Sequence, residues 1–150
     1  MQVVLVHPEI PQNTGNIGRL CVNTHTRLHL IEPLGFSLSA SSVKRAGLDY
    51  WPHLDLRVHA SWDAFLADCR PERMIFASTR GRKTVYTVDF QAEDYLVFGS
   101  EGGGLPDAFY RRYCGSLYRI PMPAEQARSL NLANSVAVVL FEALRQVREW

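Results

Sequence analysis

Cysteine is scarce in this sequence. Cys21, Cys69 and Cys114 are the only three, each more than forty residues from the next. With no C-x-x-C pair, neither a disulfide framework nor a cysteine-rich zinc site is indicated, and a reduced cytoplasm is the simplest expected location. An excess of charge is missing as well. Sixteen Lys plus Arg against fifteen Asp plus Glu leave +1, too little for a protein that coats nucleic acid through bulk electrostatics. Any polyanion would have to be met by a local patch. Long hydrophobic runs are also absent: MQVVLVHPEI has no basic stretch, and its apolar run stops at His7 and Pro8. That excludes a signal segment and a membrane span at this end, and the mature chain is expected to start here. No internal repeat or low-complexity tract is visible. What remains is globular in composition, 47% apolar and 21% charged. Its 150 residues are expected to form a single domain, 1–150, with one core.

Short β-branched runs alternate with helix-length segments, which predicts a mostly parallel sheet flanked by helices, an α/β fold. Val3 to Val6 reads as a buried first strand, followed by a loop at residues 7 to 13 and a helix to about His25. Leu28 to Ile31 is a second strand. Ser41 or Ser42 is placed to cap a short helix, VKRAG. Leu54 to Val58, Met74 to Ala77 and Tyr95 to Phe98 read as further strands, and SWDAFLADC as a helix capped by Ser61. Leu117 to Ile120 is a last strand. The closing helix runs from about Leu130 to Val147, and Val136 to Phe141 within it is apolar all round, so it is either central or packed on a partner.

Three segments are richer in special residues than a plain core requires. NTGNIGR, Asn13 to Arg19, follows the first strand and opens a helix, where free backbone N–H groups favour an anion. Gly15 and Gly18 permit close approach, and Arg19 offers a planar five-donor group suited to phosphate. The plainer reading makes Asn13 or Thr14 a helix cap and the glycines packing residues. LVFGSEGGGLP, Leu96 to Pro106, runs a buried strand straight into Gly99, Gly102, Gly103 and Gly104, four of ten glycines in the chain. Such a loop can bring backbone donors and acceptors against a flat ligand at the carboxyl edge of a parallel sheet. Glu101 either pairs with a cation or braces the loop. In IPMPAEQARSLNLAN, Ile120 to Asn134, Ser129 and Asn131 are equally good as caps and as holders of a sugar.

Other candidates are weaker. His25 and His29 are four apart but fall on either side of a helix–strand boundary, with no third ligand at zinc spacing, so no metal is expected. Arg80, Arg82 and Lys83, with Arg70 and Arg73 upstream, read either as a solvated loop, the commoner case, or, lying just past a strand end, as the local basic patch that the balanced charge calls for. The order strand, glycines, strand, Glu32 imitates a dinucleotide-binding unit, but the G-x-G-x-x-G spacing is absent and two prolines lie in the first turn. A non-catalytic RNA-binding or dimerisation module is the other alternative.

Taken together, NTGNIGR, LVFGSEGGGLP and IPM with RSLNLANSVAVVLFEA, in this order, resemble the three motifs of the SPOUT class of RNA ribose methyltransferases. PEIPQNTGNIGRLCVNT and KRAGLDYW extend the resemblance over nearly the whole chain, toward the compact tRNA wobble-position 2'-O-methyltransferases. The resemblance implies an α/β knot, a C-terminal segment threaded as a deep trefoil knot, against the usual rule that chains do not thread loops. It implies S-adenosylmethionine held by Ala77, Gly99, Glu101, Ile120, Met122, Ser129 and Leu130, and a homodimer with the site near its interface. It implies methyl transfer to the ribose 2'-OH of a wobble cytidine or modified uridine in the anticodon loop of tRNA, leucine isoacceptors first, with other tRNA or rRNA sites as the alternative. Arg19, Ser129 and Asn131 take the catalytic positions. A guanidinium keeps its proton to a pKa above about 12, so Arg19 is read as a clamp for phosphate and the developing 2'-oxyanion. Asn13, Arg19, Lys44, Arg45, Arg80, Arg82 and Lys83 are the candidate RNA contacts.

Overall fold

The computed structural model describes residues 1–39, 49–124 and 129–148. The strands are β1 (Gln2–Val6), β2 (Arg27–Ile31), β3 (Leu56–His59), β4 (Met74–Ala77), β5 (Lys83–Thr84), β6 (Tyr95–Phe98) and β7 (Leu117–Arg119). The helices are α1 (Pro11–Asn23), α2 (Trp62–Cys69), α3 (Asp107–Arg112) and α4 (Leu132–Arg148). The strands form one sheet in the order β3-β2-β1-β6-β4-β7-β5, and every ladder in it is parallel. The helix expected over VKRAG, with Lys44 and Arg45, lies outside the described residues.

A central parallel strand is covered on both faces, and so reads as a continuous apolar run. VVLV of β1 and YLVF of β6 fit that rule. Alternate residues serve two cores. On one face Val3, Leu5, Leu28, Leu30, Leu96 and Phe98 meet Ile17 and Cys21 of α1 and Val136, Val139, Leu140 and Leu144 of α4. On the other, Val4, Val6, Ile31, Phe76 and Val97 meet Trp62 and Phe65 of α2 and Phe109 of α3. Burial pushes the Cys21 thiol up to about 12, so it behaves as a small apolar residue.

Several expected boundaries shift, each for a local reason. Helix α1 begins at Pro11, because proline at the first helical position presets φ and lacks an N–H that would be unbonded anyway. Its N-cap is Ile10, without a side-chain cap bond, so Asn13 and Thr14 lie inside the helix and cap nothing. It ends at Asn23, and His25 turns the chain with φ 49°. The Ser61 cap is present, its hydroxyl accepting from the Ala64 N–H at 3.1 Å. Strand β3 starts at Leu56, two residues late. Helix α4 starts at Leu132, because the Asn131 side chain accepts from the N–H of Ala133 at 2.9 Å and of Asn134 at 3.4 Å. The apolar stretch of α4 divides, with Val136, Val139 and Leu140 buried and Phe141 47% exposed. β5 and α3, two and six residues long, are too short for periodicity to reveal.

The C-terminal half of the sheet is out of chain order. β7 lies between β4 and β5, pairing with both, while residues 78–82 connect those two strands across its end. This crossing is close. A Cβ on Gly81 would stand 2.5 Å from the Tyr118 carbonyl carbon and 2.7 Å from the Arg119 nitrogen. Arg119 then fastens the connection, donating to the carbonyls of Gly81 at 3.0 Å and Arg82 at 2.6 Å. Because the steric conflict is with backbone, Gly81→Ala is expected to lower unfolding free energy by about 1–3 kcal/mol in a urea titration. An unchanged midpoint would contradict this packing.

Candidate cofactor and nucleotide site

The carboxyl ends of β4 and β6 open into a cavity of about 590 Å³, within the usual range for small-molecule sites. All seven residues expected to hold a cofactor line it: Ala77, Gly99, Glu101, Ile120, Met122, Ser129 and Leu130. They come from four places in the chain, brought together by the out-of-order strands. Asn13 and Asn131 line it too, as does Arg80.

The walls are tied together by a polar network. Glu101 accepts from the backbone N–H of Glu9 at 2.8 Å and of Ile10 at 3.2 Å, and from the Asn13 amide at 3.0 Å. Asn13 in turn accepts from the Asn131 amide at 2.9 Å, and Asn131 caps α4. Glu9 closes the loop in the other direction, accepting from the Gly102 N–H at 2.8 Å. The N–H groups just ahead of α1, at Glu9 and Ile10, are therefore occupied by the chain's own carboxylate, and those of Asn13 and Thr14, expected to meet a ligand anion, donate to the Ile10 carbonyl. Glu101 braces the loop, one of its two expected roles.

The glycine loop folds back on itself. Ser100 and Gly104 exchange both backbone hydrogen bonds at 3.0 Å. Gly99 permits this, since a Cβ there would meet the Gly104 carbonyl carbon at 2.1 Å, and Gly104 takes φ +69°. The glycines of the first segment act differently from the ligand reading. Gly18 faces Trp51, 3.1 Å from its Cβ position, and the Gly15 carbonyl accepts from the Tyr50 hydroxyl. Both serve packing of the chain against α1.

Arg19 is not among the cavity residues. It is exposed on α1, its guanidinium 5.0 Å from the centre of the Tyr50 ring. Burial raises the Tyr50 phenol above its ordinary pKa, opposed by the charge of Arg19. Arg80 stands at the cavity rim, 3.7 Å over the Tyr110 ring and 3.6 Å from Asp107. Arg82 and Lys83 are exposed beside it. Arg70 and Arg73 leave the patch: Arg70 ends α2 with φ 45°, and Arg73 pairs with buried Asp94 at 3.3 Å. His25 and His29 also separate, His29 being fully buried in β2. Sequence reasoning misses Ser78, Thr79, Ser100, Leu105, Tyr110 and Ser135 in the lining. Ser78 and Thr79 directly follow β4, whose bounds are plain in the sequence, so the sheet-edge rule points to them; Tyr110 sits on a helix too short for periodicity to show.

With this site at the edge of this sheet, the chain has the architecture of an α/β nucleotide-cofactor enzyme. A sequence model of the SpoU rRNA Methylase family matches residues 1–141, and the chain belongs to that family. It is 51% identical over 147 residues to a tRNA (cytidine(34)-2'-O)-methyltransferase of Burkholderia pseudomallei, covering 96% of this chain and 94% of that one. A solved structure concerned with 2-OH methylation of C/U34 on tRNA superposes with a TM-score of 0.92 at 48% identity, covering 99% and 97% of the two chains. An AdoMet-bound rRNA methyltransferase of Sinorhizobium meliloti gives a TM-score of 0.82 at 28% identity, with 96% of this chain matched to 55% of that one. Among the described residues, no helix is long and apolar enough to cross a membrane.

Asn13 is the shared member of the network, so Asn13→Ala leaves Glu101 and Asn131 each short of a partner. A loss of about 1–3 kcal/mol is expected in denaturant unfolding. Thr14, 1% exposed with a hydroxyl that has no partner among the described residues, is the contrast: isosteric Thr14→Val is expected to leave stability equal or higher by up to about 1 kcal/mol.

Proposed function

We propose that the chain, as one methyltransferase domain over 1–150, transfers a methyl group from S-adenosylmethionine to the ribose 2'-OH of the wobble nucleotide, cytidine or modified uridine, in tRNA, with leucine isoacceptors as the substrates to try first. The observation that carries this reading is the convergence of all seven expected cofactor residues on one cavity. The substrate rests on the relatives named above, about half identical over nearly the whole chain. The cytoplasm, where tRNA is modified, is the proposed location.

The cavity suits such a cofactor in its donor set. Phe98, Leu105, Ile120 and Leu130 offer an apolar slot for a flat base, and Ser78, Thr79, Ser129 and Ser135 offer hydroxyls around it. When bound, S-adenosylmethionine supplies a methyl group on a positively charged sulfur. The protein's part is to hold and align the reactants, a large share of such an acceleration. Ser129 and Leu130 present the segment that enters α4. Asn131 has its oxygen engaged in the cap and one amide N–H on Asn13, leaving a single N–H for a ribose. Arg19 clamps a phosphate or the developing 2'-oxyanion with paired N–H groups. Its place outside its own cavity supports a homodimer in which Arg19 of one protomer serves the site of the other. Arg80, Arg82 and Lys83 complete the proposed RNA contacts among the described residues, and Lys44 and Arg45, outside them, are kept as candidates from the sequence. Asn13, buried with its amide on Glu101 and its oxygen accepting from Asn131, braces the site in place of its expected RNA contact.

The test is methylation of tRNA-Leu transcripts with labelled S-adenosylmethionine, followed by mass spectrometry of the digested nucleosides. A 2'-O-methylated wobble nucleotide is expected, and a methyl group on any other position or none overturns the reading. Arg19→Lys keeps the charge and loses the fork, so single-turnover rates at saturating tRNA are expected to fall about 100-fold, of the order found on removing an oxyanion donor.

A further inference from the structure

The face of the sheet away from α1 and α4 holds a cluster that the methyl-transfer site does not use. His29 from the middle of β2, His59 from the end of β3 and Cys69 from the last turn of α2 bring one ligand atom each within 4.8 Å of one another. Their separations are near those a metal imposes. His29 Nδ1 lies 2.9 Å from His59 Nε2 and 3.8 Å from Cys69 Sγ. Four-coordinate zinc, with Zn–N near 2.0–2.1 Å and Zn–S near 2.3 Å, sets about 3.3 Å between two nitrogens and about 3.5 Å between nitrogen and sulfur. The two separations that His29 makes differ from these by a few tenths of an ångström, and the His59 and Cys69 donors lie within 4.8 Å of each other.

We propose that His29, His59 and Cys69 form a three-ligand site for a borderline-soft divalent cation, zinc by ligand type. The surroundings point the same way. Bound imidazoles characteristically donate their other N–H to an oxygen, and His29 Nε2 sits 2.6 Å from Gln2 Oε1. An amide oxygen only accepts, so Nε2 donates there and the Nδ1 lone pair faces the cluster, accepting from His59 Nε2–H. A bound cation would take the place of that proton, which moves to His59 Nδ1 on the Asp68 side. The second nitrogen of His59 faces Asp68 Oδ2 at 3.9 Å, and the same oxygen is 3.8 Å from Cys69 Sγ. Asp68 also pairs with Arg57 at 3.4 Å, which keeps it in a supporting place and leaves the fourth position to water. Cys69 is only partly buried, so the cluster is reachable from outside, while His29 is 0% and His59 6% exposed. A bound ion would pin edge strand β3 and the end of α2 to the centre of the sheet. The sequence hid this site because its ligands are thirty and ten residues apart, outside any zinc spacing.

The experiment is titration of the full chain, treated with EDTA and dialysed, with Co²⁺ as a spectroscopic probe and with Zn²⁺ against a chromophoric chelator. Expected are a thiolate-to-cobalt charge-transfer band, the strong visible bands of a four-coordinate site, and loss of both on adding Zn²⁺. Cys69→Ser is expected to abolish the charge-transfer band and Cys114→Ser to leave it. Gln2→Leu, which removes no ligand, is expected to weaken zinc about 10–100-fold. No charge-transfer band in the native chain, or one that survives Cys69→Ser, overturns the proposal. Should Cys69→Ser fail to fold, His59→Asn reads the same loss at the sheet edge. Methylation is not the readout, so this test and that of the proposed function fail independently.

Discussion

Asn13, one buried amide, holds the site together. It donates to Glu101 in the loop after β6 and accepts from Asn131 at the start of α4, so three chain segments converge on a side chain that is 6% exposed. Each partner is also engaged elsewhere, Glu101 receiving the backbone ahead of α1 and Asn131 capping α4. A polar network anchored on one buried member is held in place when every partner of that member is satisfied. Here it fixes the distance between the glycine loop and the third segment, and thereby the width of the cavity between them.

The cavity walls are thus held without any excess of one charge sign. The loops that form the cavity are oriented by short hydrogen bonds and by backbone contacts at Gly81 and Gly99, where a side chain would not fit. Negative charge braces the walls, at Glu101 and Glu9, and positive charge stands at the rim, at Arg80 over Tyr110 and at the neighbouring Arg82 and Lys83. The near-neutral composition excludes a nonspecific coat for nucleic acid, and it is compatible with a few cations placed at the mouth of one cavity.

Much of this is readable from the residues. Strands β4 and β6 show their true bounds because buried parallel strands are continuous apolar runs that stop abruptly, and the Ser61 cap announces α2. The cavity residues emerge through motif resemblance, since several sit in turns whose side chains carry little signal. Periodicity cannot reach the rest. A two-residue β5 shows no alternation, and Pro11 moves the helix start ahead of Asn13, turning an expected cap into an interior residue. The alternatives left open by composition are decided by geometry: Glu101 braces the loop, and Gly18 receives Trp51. Nothing in the spacing of His29, His59 and Cys69 announces that the fold makes them neighbours.

The placement of β7 has a consequence for the order of assembly. Among the described residues, strand β5 pairs with β7 alone, so during synthesis it waits for that partner until residue 119 has followed it. The first 98 residues can build β1, β2, β3, β4 and β6, but the edge that shapes the cavity waits for the last part of the chain. A nascent chain can therefore pair its central strands before it acquires a binding site, while the core on the α1 side still awaits α4, and a ribosome that stops early releases a sheet with an unfinished edge.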